Sequence, residues 1–248
     1  AQYRDMVILL RSTTGWTETF LSVLLNEGIP AYAESRTGYF TTVEVETVLS
    51  MLSVIDNPMQ DIPLAAVLRS PVVGMSDDEM AWMMASYKKN TKKGQDRGVY
   101  GAWKLWEEER EHPGLREALE HPGGAFENET GVSEDAVRIG AAVVPVEQAA
   151  LIWKKLEDFG ALLKELRTEA RYRPIHELLY YVYRRSRYYD YVSAMPAGEI
   201  RRGNLDMLVE KAAAYEATSY KGLFHFVRYI ERLKKYDTDF GEAAVAGE

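Results

Sequence analysis

Arg11 is the side chain whose type and position most directly invite chemistry. It follows the apolar run Met6-Val7-Ile8-Leu9-Leu10, and an arginine at the carboxyl end of a buried parallel strand stands where α/β proteins hold their ligands. A guanidinium there pairs bidentately with phosphate or neutralises charge that develops in phosphoryl transfer. Taken alone, such an arginine reads first as a surface residue. Two further stretches concentrate positive charge. Arg167, Arg171, Arg173, Arg184, Arg185, Arg187, Arg201 and Arg202 face only Glu169, Glu177, Asp190 and Glu199 between residues 167 and 202, and Lys88, Lys89, Lys92, Lys93 and Arg97 crowd a polar segment opposed only by Asp96. Each stretch reads either as phosphate-facing or as solvated surface. Tyr172, Tyr180, Tyr181, Tyr183, Tyr188, Tyr189 and Tyr191 interleave with the arginines. That composition suits a grip on backbone and bases, and it equally suits short helices that bury their rings and leave the hydroxyls wet. Within this stretch Arg184, Arg185 and Arg187 are the candidates for duplex phosphate.

Other chemistries are excluded or disfavoured. The chain has no cysteine, which removes disulfides, thiolate metal sites and cysteine nucleophiles, and its four histidines, His112, His121, His176 and His225, form no HExxH pair. No GxxxxGK[ST] sequence occurs, so no loop of backbone amides and lysine is present to cradle a triphosphate. A formal net charge of −8 argues against a protein that coats nucleic acid with its whole surface. No apolar run approaches the roughly 18–20 residues that span a bilayer. The amino end, AQYRDM, carries no secretory pattern. The expectation is a soluble, cytoplasmic protein without a membrane partner.

The elements that position these residues follow from periodicity. At 248 residues, with 46% hydrophobic and 27% charged, the chain has material for one large domain or two small ones. Met6 to Leu10 and Ile29 to Ala33 predict two strands flanking a helix over about 16–27, a lone βαβ unit that needs further sheet to bury it. Helices take over afterwards. Val45, Val48, Leu49, Leu52 and Ile55 stripe one; Asp61 to Leu68 gives a second; Ser76, with Glu79 three residues on, opens a third through a capping box. A Trp/Glu-rich helix is expected over 99–112, then a poorly patterned connection over 113–141. A long helix over about 146–170 carries Ala149, Ile152, Leu156, Phe159, Leu163 and Leu166 at helical spacing, and further helices are expected near 175–186, 204–217 and 223–236, with Asn204 capping the second of these. Trp82, Trp103, Trp106 and Trp153 are expected in a core. The fold class is therefore mainly α, with a partial α/β unit at the amino end joined to an α-helical domain.

Several motifs occur in order: YRDMVILLRS, then GYFTTVEVETVLSML, then VLRSPVVG. Together they resemble the second RecA-like domain of UvrD-like superfamily 1 DNA helicases. The stretch from YRPIHELLYYVYRRSRYYDYV to GLFHFVRYIERL is similar to the AddA-type ATP-dependent helicase–nuclease subfamily of Gram-positive bacteria. The resemblance implies that residues 1–73 are the first part of subdomain 2A, that 74–240 are the helical insertion 2B, and that 241–248 are a tail. It implies that Arg11 reaches the γ-phosphate of ATP held, with Mg²⁺, by a missing RecA-like domain of the same polypeptide. Leu10 departs from relatives that carry an adenine-stacking aromatic there. Tyr39, Phe40 and Arg69 match motifs near a single-stranded DNA path, with Phe40 equally readable as a hydrophobic staple for the following helix. The partners implied are single- and double-stranded DNA and a partner subunit of the AddB type. The activity implied is that of a helicase and exonuclease in recombinational break repair, the chain being inactive alone. The rival reading is a self-standing helical module that binds nucleic acid or protein.

Overall fold

The computed structural model describes residues 3–9, 16–31, 39–88, 98–110, 136–217 and 222–235. Its helices are α1 (Thr17–Asn26), α2 (Val43–Asp56), α3 (Asp61–Arg69), α4 (Asp77–Lys88), α5 (Gly98–Arg110), α6 (Val146–Glu169), α7 (Ile175–Ser186), α8 (Tyr188–Ser193), α9 (Gly198–Glu216) and α10 (Leu223–Lys235). The protein is mainly α, as expected. The described residues carry one small sheet, a hairpin of β1 (Ala136–Ile139) and β2 (Ala142–Pro145).

That hairpin corrects the reading of the amino end. Met6 to Leu9 forms no strand and is exposed, with Leu9 at 86%, and Ile29 to Ala31 forms none either. An apolar run becomes a parallel strand only when neighbouring strands satisfy its backbone and helices cover its faces, and the described residues supply neither. Leu10, Tyr32 and Ala33 lie outside them. The strands sit instead at the end of the segment that lacks clear periodicity. Val137, Ile139, Ala142 and Val144 are buried while Arg138 and Val143 face out, and Val137 pairs with Val144 across an antiparallel ladder. Gly140, at φ +53°, makes the two-residue turn, and a Cβ there would lie 2.6 Å from the Ser86 carbonyl.

The chain packs as two compact units, residues 1–49 with 173–248, and residues 50–172, one boundary falling inside α2. In the second unit α4, α5, α6 and the hairpin share a core. Ala149, Ile152, Trp153, Leu156, Phe159, Leu163 and Leu166 are buried along α6, and the Trp153 indole donates to the Trp106 carbonyl at 2.7 Å. Trp103, Trp106 and Trp153 are thus core, with Trp82 half-buried. The capping box forms: the Glu79 amide donates to Ser76 Oγ at 3.2 Å and the Ser76 amide to Glu79 Oε2 at 2.7 Å. Lys155 then neutralises the buried Glu79, donating to its two oxygens at 2.8 and 2.7 Å and to the Gly74 carbonyl at 2.8 Å. Asp61, at the start of α3, holds the start of α5 by accepting the Val99 amide at 2.9 Å.

Candidate nucleic-acid interface

In the first unit the side chains converge on α9. This helix begins at Gly198, so Asn204 is not a cap: it lies inside the helix at 1% exposure. Its amide instead donates to Glu44 Oε1 at 2.7 Å, while Arg201 donates to Glu44 Oε2 at 2.7 Å. Glu44 is 3% exposed, and a carboxylate at that depth persists only with such a cation and amide beside it. Two tyrosines then anchor on successive α9 carbonyls. Tyr39 donates to the Asn204 carbonyl at 2.7 Å and Tyr183 to the Leu205 carbonyl at 3.0 Å. Burial pushes the Tyr183 phenol well above its ordinary value of 10.0, with nearby Tyr39 and Asp206 adding to the effect. The far end of α9 holds α7. Glu216 accepts the Ile175 amide at 2.5 Å and pairs with His176 Nδ1 at 2.6 Å, placing a carboxylate at the helix start where unpaired amides need one.

This frame sets where each expected residue lies. Tyr39 and Phe40 are buried with no exposed surface; their rings pack edge to face 5.0 Å apart, and the Tyr39 hydroxyl ties this pair to α9. Arg184 and Arg185 are exposed in the last turn of α7, where cations also complement the helix dipole. Arg187 follows at once, exposed, with a left-handed backbone at φ 55°, and sits 3.5 Å from Asp190. All three stand at the carboxyl end of α7. Arg69 belongs to the second unit, exposed at the end of α3 and paired with Asp77 at 2.6 Å, a surface bridge worth about 0–1 kcal/mol. Arg11 and the segment from Lys89 to Arg97 lie outside the described residues. The tyrosines divide: Tyr183 and Tyr188 are buried, Tyr181 and Tyr189 half-buried, and Tyr172, Tyr180 and Tyr191 exposed. Tyr189 donates to the Asp206 carboxylate at 3.0 Å and its pKa is raised, by burial first.

Sequence reasoning missed Glu44, Arg201 and Asn204 as a set, because the partners are 157 and 160 residues apart. The one available signal was two adjacent arginines and an asparagine in a segment without apolar periodicity. Among the described residues no group of three or more histidine, aspartate or glutamate side chains is placed to hold a metal ion, and no helix among them is long and apolar enough to cross a membrane.

No family model matches the chain. Similarity to individual proteins is extensive. The AddA-type subunit of an ATP-dependent helicase/nuclease from Lachnoclostridium phytofermentans is 38% identical over 263 residues, covering 100% of this chain and 18% of that protein. Proteins of the same name from Clostridioides difficile and Bacillus cereus are 38% and 39% identical over 247 residues, again across 100% of this chain and over 17% and 16% of their own lengths. The chain therefore spans about a sixth of the curated relatives it matches, and along its whole length it is similar to one segment of AddA-type ATP-dependent helicase/nuclease subunits.

Proposed function

We propose that this chain is the part of an ATP-driven DNA helicase and exonuclease subunit that contributes a nucleotide-sensing arginine and DNA contacts, and that it hydrolyses nothing by itself. The observation that carries this reading is the similarity across the entire chain, joined to an ordered set of motifs that contains Arg11 but no triphosphate cradle. In this reading residues 1–73 are the first part of subdomain 2A and 74–240 the helical insertion 2B, and the working protein acts in recombinational repair with a partner subunit of the AddB type. Arg11 would pair with the γ-phosphate of ATP whose Mg²⁺ and cradle belong to another domain, supplying positive charge where transfer creates negative charge. Such arginines are worth about 10³–10⁵ in rate. Arg184, Arg185 and Arg187 would meet nucleic-acid phosphate, and Arg69 would do so in the other unit. Tyr39 enters as an anchor of α9, with Phe40 packed against its ring.

The test is Arg11→Ala in the complete polypeptide. DNA-stimulated ATP hydrolysis should fall by at least about a hundredfold with DNA affinity retained. Near-normal turnover would refute the assignment.

A further inference from the structure

On the reading that α7 faces nucleic acid, the geometry points to a two-guanidinium clamp for the phosphodiester backbone, built by Tyr181 from Arg173 and Arg184. The Arg173 guanidinium carbon lies 4.8 Å from the Tyr181 ring centroid and that of Arg184 lies 5.5 Å from it. Both distances are within the range of a cation held by an aromatic ring. The two guanidinium carbons lie no farther apart than the sum of those distances, close to the Debye length of about 10 Å at 0.1 M salt, so part of their mutual repulsion survives screening. One half-buried ring thus gathers two like charges, each exposed. An anion entering beside the ring relieves that repulsion and meets donors already ordered, so less side-chain freedom is lost on binding. Glu177 pairs with Arg173 at 3.9 Å across an exposed contact, which is too weak to compete with a phosphodiester. Tyr181 is a positioning residue here, and Arg173 joins Arg184 as a contact.

The experiment measures anisotropy of a labelled single-stranded oligonucleotide and of a matched duplex, titrated with the 248-residue chain across a salt series. Circular dichroism verifies the fold of every variant. Arg173→Ala and Arg184→Ala should each weaken binding and reduce the slope of log affinity against log salt by about 1. Tyr181→Phe should bind as the wild type does. Tyr181→Leu, which keeps both charges but removes the ring, should bind about 2–5-fold more weakly with the slope unchanged. Binding in either arm with this pattern supports the clamp, and the arm with the steeper slope identifies the form of nucleic acid it takes. Tyr181→Leu binding like the wild type, or Tyr181→Phe failing as Leu does, overturns it. If Arg184→Ala weakens binding while Arg173→Ala does not, the clamp fails and the α7 reading survives. If neither substitution matters, or the wild type binds neither probe at low salt, both fail.

Discussion

Replacing Arg201 with methionine keeps most of the side-chain volume in the first unit while stripping Glu44 of its cation. The carboxylate is 3% exposed and would keep the Asn204 amide at 2.7 Å as its neutral donor. Removing one member of a fully buried pair costs about 3–5 kcal/mol. Arg201 keeps 24% of its side-chain surface in water, so solvent reaches the gap and the expected loss is smaller, about 2–3 kcal/mol. For a chain of this size that lowers the unfolding midpoint by roughly 5–10 °C. Circular dichroism through a thermal ramp, with urea unfolding as a second measurement, reads both numbers. The double variant Glu44→Gln with Arg201→Met removes the uncompensated charge and should recover at least half of the loss, since a buried pair is often worth little more than a neutral replacement. An Arg201→Met protein within about 1 kcal/mol of the parent, or a double variant no better than the single one, would show that the cluster does not hold α2 to α9.

The second unit offers two further tests. Gly98→Ala places a Cβ against the Asp61 carboxylate at a backbone φ of +56°; the strain together with the lost hold on the Val99 amide should cost about 2–3 kcal/mol in urea unfolding, and a loss below about 0.5 kcal/mol would show the α3–α5 junction to be pliable. Burial raises the Asp56 carboxyl above its ordinary 3.8, with the Arg167 charge opposing it. A carboxyl raised in this way favours the fold below its unfolded value and loses that contribution as pH climbs through the folded value. Asp56→Asn should therefore raise the thermal midpoint at neutral pH and leave it unchanged well below pH 3.8, a difference that a pair of melting curves reveals.

What the sequence disclosed and what it hid divide by range. Ala149 to Leu166 and the Ser76–Glu79 capping box were legible because their signals are local, set by helical spacing and by groups within one turn. The hairpin was not, since two strands of four residues offer too little alternation to stand out and only burial against α4 and α6 separates Val137 from Arg138. Met6 to Leu9 misled for the opposite reason: composition reports that a strand is possible, while partners decide whether it forms. At the candidate interface, exposed arginines on α7 were readable from charge. The burial of Tyr39 was not, because it depends on a helix carbonyl 165 residues away. Asn204 looked like a cap since asparagine favours that place, and a tertiary partner overrode the preference.

Arg187 joins α7 to α8 with no other residue between them, its left-handed backbone closed by the Tyr188 amide donating to Ser186 Oγ at 3.3 Å. A joint one residue long is a rivet. Adding or deleting a residue there would turn α8 by about 100°, parting the stacked rings of Tyr183 and Tyr189 and pulling the Tyr189 hydroxyl off Asp206. Length variation among kindred sequences should therefore avoid this corner, however freely their surface residues differ.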